Sequence, residues 1–501
     1  MQFSKGIENS LNIQFNMNMK KIVFIAALYF IMFSAFSQDF NFKAEPQADE
    51  YIQYINSFDW GPATDRIMIC LDHKISESAV NKNDFAVKVH LVSKTDSAQS
   101  YGPALSKRIV TDAYICNPDG TKATGRSSLI MLMLEVHPDA TYSKPYVSFK
   151  KPSGIDDLYG YKIENKKLEF EIGRRTAYLS NSLNQFSLGN FDGSEDKMNY
   201  AVYIPESSKK SEEKIPLIVW FHGLSEGGDY PWAPLLGNPV PNLAGEKIQK
   251  HFKNGAAVLV PQSKVCWLLG NTKDKRGNNK WVIFDDVMIK KNIAGKIMVP
   301  FSKISSTSPY GKTNSEENTV SKYTSTVKEL IDSILKENPR LDKDKVILMG
   351  GSAGGYMVLN MGLCYPESFA ALVACCPAYP FTKFDYNSIE KIYKKPMWII
   401  YAKNDETLKP EKYVEGIINR LENSGATNLH KSVFENVRDT SGKYFMDYTD
   451  DIDERLEREE ENEIHDTPYQ YEGHASWIYL LNDMCNDGDL NLYDWLDGMN
   501  N

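Results

Sequence analysis

Ser352 stands in Gly350-Gly351-Ser352-Ala353-Gly354, a G-x-S-x-G pentapeptide. A serine hydroxyl becomes a nucleophile when a neighbouring base takes its proton, and the chemistry it then supports is acyl transfer. The apolar run Val346 to Met349 reads as a buried strand, and Tyr356 to Leu363 reads as a helix. Strand, sharp turn and helix together expose such a serine at the tip of the turn. Gly350 and Gly354 suit that turn, because a Cβ there would meet the flanking strand and helix. A chain this long holds roughly 0.1–0.2 such pentapeptides by chance, so the surroundings decide.

Three further segments could serve that serine. Upstream, the strand-like run Pro216 to Phe221 ends in His222-Gly223-Leu224. A turn there can aim a backbone N–H at the negative charge that grows on a carbonyl oxygen under attack. The expected donors are the N–H groups of Ala353 and Leu224. His222 itself reads as structural, since it precedes the serine. Downstream, the strand-like run Pro396 to Tyr401 leads into Ala402-Lys403-Asn404-Asp405. A carboxylate after a late strand can hold an imidazole in one tautomer. Asp405 is the first candidate, with Glu406 and Asp439 behind it. Near the end of the chain, His474 in Gly473-His474-Ala475 opens a helix-like run through Leu481. Of the eight histidines, His430 and His465 also follow the serine; His430 reads as strand and His465 sits in an acidic run. His474 is therefore the expected base. The order Ser352, Asp405, His474 is that of the α/β-hydrolases.

Two kinds of element must position these groups. From Asp65 to Ile172 the chain reads as short strands parted by turns such as Asn117-Pro118-Asp119-Gly120, a β-sandwich pattern. From Tyr200 onward strands alternate with helical runs such as Tyr323 to Glu337, which predicts an α/β domain with a mostly parallel sheet. The expected division is 1–37 as a signal peptide, 38–179 as an Ig-like sandwich and 180–501 as the catalytic domain. Ser302 to Ser321 reads as an exposed loop. Asp450 to Glu463 holds nine acidic residues and reads as a solvated insertion, with a calcium site as the alternative. Specificity is expected to lie in loops such as Gly270 to Pro300.

Lys20-Lys21, the apolar core Ile22 to Phe36 and the small-x-small Ala35-Phe36-Ser37 form a signal-peptide pattern. Export to the periplasm or medium, with cleavage near Ser37, is expected, and Met19 is a candidate start. An uncleaved anchor is the alternative. No other stretch is long and apolar enough to span a membrane. The net charge of −9 argues against a nucleic-acid partner. Seven cysteines leave at least one unpaired. Cys70 could pair with Cys116, and Cys375 or Cys376 with Cys364 or Cys485; buried free thiols are the alternative. No cysteine spacing suggests zinc.

Phe58-Asp59-Trp60-Gly61-Pro62-Ala63 resembles the start of the Ig-like domain in two-domain bacterial esterases. Leu217 to Gly228, Val260 to Ser263, Gly350 to Met357, Lys403 to Asp405 and Gly473 to Trp477 resemble their catalytic domain, often labelled predicted peptidase or prolyl-oligopeptidase-like hydrolase. The resemblance spans nearly the whole chain after the signal. It implies the same triad. The chain departs at Ala353, where the family often has Asn; a backbone N–H serves with either.

The chemistry expected is hydrolysis of a small-molecule or glycan ester through an acyl-enzyme, with no metal or cofactor. A prolyl-oligopeptidase-like peptidase is the second reading, but the first domain is too short for a seven-bladed propeller. A binding protein on a hydrolase fold is the third. For the β domain, carbohydrate binding through aromatics such as Tyr101 and Tyr114 and a structural role as a lid are both open. Homo-oligomerisation is also left open.

Overall fold

The computed structural model describes residues 47–92, 101–145, 158–210, 212–273, 276–282, 320–379, 386–446, 448–449 and 467–499. The signal-peptide pattern, His465, the acidic run from Asp450 and nearly all of the loop Ser302 to Ser321 lie outside the described residues, as does most of Gly270 to Pro300.

The first part of the chain is two facing sheets. Strands β1 (Glu50–Phe58), β2 (Gly61–Ser76), β3 (Phe85–Val92), β4 (Tyr101–Arg108), β5 (Val110–Ile115), β6 (Arg126–Leu134), β7 (Leu158–Asn165), β8 (Phe170–Ile172) and β9 (Arg174–Leu179) follow in order. One sheet runs β5-β6-β2-β1-β9 and the other β4-β3-β7-β8. Between them lie Tyr51, Ile67, Ile69 and Ile130 against Val87, Val89, Tyr161 and Ile163. Successive strand residues face opposite ways. Tyr51 thus points into the sandwich while Ile52 joins a second cluster on the outer face. The register of β1 against β2 shifts between Tyr54 and Ile55. Beyond that shift Ile55 packs into the core of the following domain, together with Tyr178. The sandwich is therefore joined to its neighbour by shared apolar packing as well as by the chain.

The second part is an eight-stranded sheet. Its strands are β10 (Ser187–Asp192), β11 (Lys197–Tyr203), β12 (Ile215–Phe221), β13 (Ala257–Gln262), β16 (Leu341–Gly351), β17 (Ala371–Cys375), β18 (Met397–Ala402) and β19 (Leu429–Phe434). A short hairpin, β14 (Leu269–Lys273) and β15 (Asn279–Trp281), stands apart. The order is β10-β11-β13-β12-β16-β17-β18-β19. The β10–β11 and β11–β13 pairs are antiparallel and the other pairs are parallel. This is the α/β-hydrolase sheet.

A sheet covered on both faces needs continuous apolar strands. Ile215 to Phe221 is buried throughout. Leu217, Val219 and Phe221 face one layer, and Ile218 and Trp220 face the other. Helix α1 (Thr324–Glu337) buries Val327, Leu330, Ile331 and Ile334, the i, i+3, i+4, i+7 stripe of a surface helix. Helix α2 (Ala353–Cys364) is buried on all sides from Ala353 to Gly362, as a helix packed onto the sheet centre must be. Helices α3 (Val414–Asn423), α4 (Trp477–Leu481) and α5 (Leu492–Gly498) complete the covering layers. No described helix is long and apolar enough to cross a membrane.

All seven cysteines are free, so neither disulfide anticipated from the sequence forms. Cys116, Cys266, Cys375, Cys376 and Cys485 are buried and act as small apolar side chains. Tyr114 is half-buried; its ring packs beside the outer-face cluster and under Lys122.

Candidate active site

The parallel strands deliver the candidate residues to their C-terminal ends, where open α/β sheets bind ligands. β16 ends at Gly351, and Ser352 follows at φ 57° and ψ −116°. A non-glycine residue there carries roughly 1–3 kcal/mol of strain. The strain is held by hydrogen bonds on both sides: the Ser352 N–H donates to Cys375 O at 3.0 Å, and its carbonyl accepts from Ala378 N–H at 2.9 Å. The glycines are sterically required. A Cβ on Gly354 would lie 1.9 Å from Phe221 O, and one on Gly350 would lie 2.6 Å from the Gly354 carbonyl carbon. The same contact shows that the end of β12 presses against the start of α2. That brings the His222-Gly223-Leu224 turn beside Ser352.

Asp405, His474 and Ser352 meet. His474 Nε2 lies 2.8 Å from Ser352 Oγ, and His474 Nδ1 lies 2.8 Å from Asp405 Oδ2. Asp405 is 2% exposed. Its other oxygen, Oδ1, accepts the N–H groups of Thr407 at 2.9 Å and Leu408 at 2.7 Å, which locks the carboxylate in place. Glu406 pairs with Lys409, and Asp439 accepts from Ser441, Lys443 and Tyr471. Neither of these fallback acids bonds His474. His430 sits in β19 against Asp487. Burial penalises the charged form of His474, but the Asp405 carboxylate, with a further contribution from Cys376, raises its pKa well above the ordinary value.

The loop that carries His474 sits directly on the Asp405 loop. A Cβ on Gly473 would lie 2.3 Å from Asn404 Oδ1, so only glycine fits before this histidine. Glu472 Oε2 accepts the His474 N–H at 2.9 Å, and Cys376 Sγ donates to His474 O at 3.2 Å. Trp477 packs edge-on to the His474 ring and covers Gly351.

The N–H groups of Ala353 and Leu224 each open a helical turn, where backbone donors lack an intrahelical partner. Among the described residues neither is given to a protein acceptor. Gly223 N–H, by contrast, is taken by Glu226 Oε2. His222 is buried rather than solvated, and burial lowers its pKa to about 4. Its Nε2 accepts the Ser263 N–H at 3.1 Å, so Nδ1 carries the proton and donates to Gly223 O at 2.7 Å. His222 thus braces the carbonyl of the Gly223–Leu224 peptide, whose N–H is the candidate donor. It makes no hydrogen bond to Ser352.

Three residues here had no role in the sequence reading, Glu226, Asn238 and Glu472, and Cys376 entered it only as a disulfide candidate. Glu226 had a signal in its spacing, three residues after the turn glycine, as at a helix N-terminus. The others are brought in by tertiary contact alone. A Cys376, an Asp405 and a His474 ligand atom lie within 4.8 Å of one another. The Asp405 and His474 atoms already bind each other, so the group reads as part of the serine site.

Comparison with known proteins agrees with this architecture. Residues 193–423 match the family model described as "Putative esterase", and residues 52–178 match the esterase Ig-like N-terminal domain. A thermostable esterase of known structure is 18% identical, with a TM-score of 0.58, over 89% of this chain and 98% of that one. It shares the two-domain fold. An S-formylglutathione hydrolase from Agrobacterium tumefaciens is 14% identical, with a TM-score of 0.31, over 50% of this chain and 85% of its own. A ferulic acid esterase is likewise 14% identical, with a TM-score of 0.33, over 50% of this chain and 89% of its own. No curated protein is matched in sequence.

Proposed function

We propose that this chain, which matches an esterase family model over residues 193–423 and an esterase Ig-like domain model over residues 52–178, is an exported serine carboxylesterase. Ser352 is the nucleophile, His474 the base and Asp405 the orienting acid. The observation that carries this reading is the unbroken line from Asp405 Oδ2 through both ring nitrogens of His474 to Ser352 Oγ, 2.8 Å at each step.

His474 takes the Ser352 proton as Oγ attacks the ester carbonyl, and Asp405 stabilises the imidazolium that forms. The oxyanion is received by the N–H groups of Ala353 and Leu224, which cost little reorganisation because their turns are already held. His474 then protonates the leaving alcohol. Water enters, gives a proton to His474 and attacks the acyl carbonyl; the bond to Ser352 Oγ breaks, His474 returns the proton to Oγ, and the acid leaves. No step calls on a metal or cofactor. The substrate class is a small-molecule or glycan ester. Export is part of the proposal and rests on the basic, apolar and small-residue pattern from Lys20 to Ser37.

The test is turnover of p-nitrophenyl esters from acetate to octanoate, and of a chromogenic prolyl peptide, by wild type and Ser352→Ala. Ester turnover lost in Ser352→Ala supports the reading, and the chain-length optimum sizes the pocket. Peptide turnover without ester turnover would replace it with a peptidase. No turnover, together with no labelling by a fluorophosphonate, would leave a binding protein.

A further inference from the structure

Glu226 is a carboxylate 3% exposed beside the candidate oxyanion turn. Its two oxygens are shared between two donors. Oε2 accepts Gly223 N–H at 2.6 Å, and Oε1 accepts Asn238 Nδ2 at 2.6 Å. Among the described residues no cation pairs with it, and buried carboxylates without one are rare because burial penalises their charge. A position that only needed filling would be served at less cost by an apolar side chain.

Its surroundings tie it to the chemistry. Gly223 N–H and Gly223 O are the two ends of the residue that precedes the Leu224 N–H. Glu226 holds the first and His222 Nδ1 the second. Together they fix the plane of the peptide whose N–H is to meet the oxyanion. Asn238 carries the connection further. Its Oδ1 accepts Trp477 Nε1 at 2.6 Å, and Trp477 packs on Gly351 and the His474 ring. Its carbonyl accepts Ser57 Oγ at 2.6 Å, from the β1–β2 hairpin of the sandwich. Gly237 makes room for this carboxylate: a Cβ there would lie 2.1 Å from Glu226 Oε1.

We propose that Glu226 is a positioning residue for ester hydrolysis, its ionised carboxylate holding the Leu224 N–H where the oxyanion forms. This rests on the serine-esterase reading above. Ionisation matters because both partners are donors. A protonated carboxyl would turn one acceptor oxygen into a donor facing a donor, and one of the two bonds would break. Burial raises the Glu226 pKa to about 7, so the proposed switch falls in the neutral range. The titratable groups around it are few. His222 shares its turn and stays neutral. Asp229 and Lys264 pair with each other at the surface. Asp59 lies on the hairpin that reaches Asn238, and His474 lies beyond Trp477.

The test compares full-length wild type, Ser352→Ala, Glu226→Gln and Glu226→Ala. Two readouts are used: the second-order rate of labelling by a fluorophosphonate, and ester kcat and KM across pH 5 to 9. Glu226→Gln is nearly isosteric and keeps one acceptor, so it decides the matter if Glu226→Ala fails to fold. The expected result is a fall of about 10- to 100-fold in labelling rate and kcat, with KM nearly unchanged, as for loss of transition-state stabilisation. The acid limb of kcat should steepen towards two ionisations in wild type and show one in Glu226→Gln. Wild-type labelling by both variants would overturn the proposal and leave the esterase reading standing. So would a loss in Glu226→Gln with the wild-type pH limb retained. A wild type that does not label, like Ser352→Ala, would overturn both.

Discussion

Asp405 divides its carboxylate: Oδ2 holds His474 Nδ1 at 2.8 Å, while Oδ1 is committed to the N–H groups of Thr407 and Leu408. This fixes what an amide would do in its place. In Asp405→Asn the amide oxygen must stay on the two backbone donors, so the NH2 faces Nδ1 and forces the proton onto Nε2. His474 then cannot accept the Ser352 proton. A loss of about 10^4-fold in kcat is expected with the fold intact. Ester kinetics and near-ultraviolet circular dichroism check it, and a loss below tenfold would contradict it.

The strain at Ser352 gives a stability prediction. Glycine accepts φ 57°, ψ −116° without a Cβ penalty. Ser352→Gly should therefore melt above Ser352→Ala, by about 1 kcal/mol after the greater entropy lost by glycine on folding. Calorimetry of the two inactive variants measures it. Equal or reversed stabilities would show that the elbow is relaxed.

Gly354→Ala tests the contact that joins the turn after β12 to α2. Its methyl would stand 1.9 Å from the Phe221 carbonyl oxygen, a backbone atom that cannot swing aside. Destabilisation of about 3 kcal/mol or more is expected, seen as a lower denaturation midpoint or as insoluble chain. A stable, active Gly354→Ala would mean that β12 and α2 sit further apart.

Activity should fall on the acid side at a pH above the ordinary histidine range, because His474 must be neutral to act and Asp405 holds its pKa up. A kcat profile flat from pH 5 upward would contradict this. Stability has a different pH dependence. The folded pKa of Glu226 is raised from 4.5 to about 7, so folding favours the neutral carboxyl. That contribution is whole below about pH 4.5 and is lost as pH rises through about 7, on the order of 3 kcal/mol. Wild type should lose more melting temperature between pH 5 and 8 than Glu226→Gln does. Parallel curves would show that Glu226 is better solvated than its burial implies.

With all seven thiols free, dithiothreitol should leave the melting temperature unchanged, and thiol titration in denaturant should count seven. A shift of several degrees would reveal a disulfide.

The sequence determined the elements that depend on neighbours along the chain. The runs before His222, Ser352 and Asp405 read as strands because both faces of their sheet are buried, so nearly every residue in them is apolar. The elbow was legible because its steric demand is written in Gly350 and Gly354. In the sandwich, β1, β4, β7 and β9 were not legible, since polar residues, or Gly102-Pro103 in β4, interrupt their apolar runs and only pairing makes them strands. Cysteine spacing could not say that the thiols stay apart. Only the tertiary structure decided which acid reaches His474, because Asp405, Glu406 and Asp439 are equivalent as residue types and differ in where their loops point. It also brought Glu226, Asn238, Trp477 and Ser57 together. Those contacts join residues up to 239 positions apart, and no local pattern encodes them, because they arise where loops and a helix start from distant parts of the chain pack together.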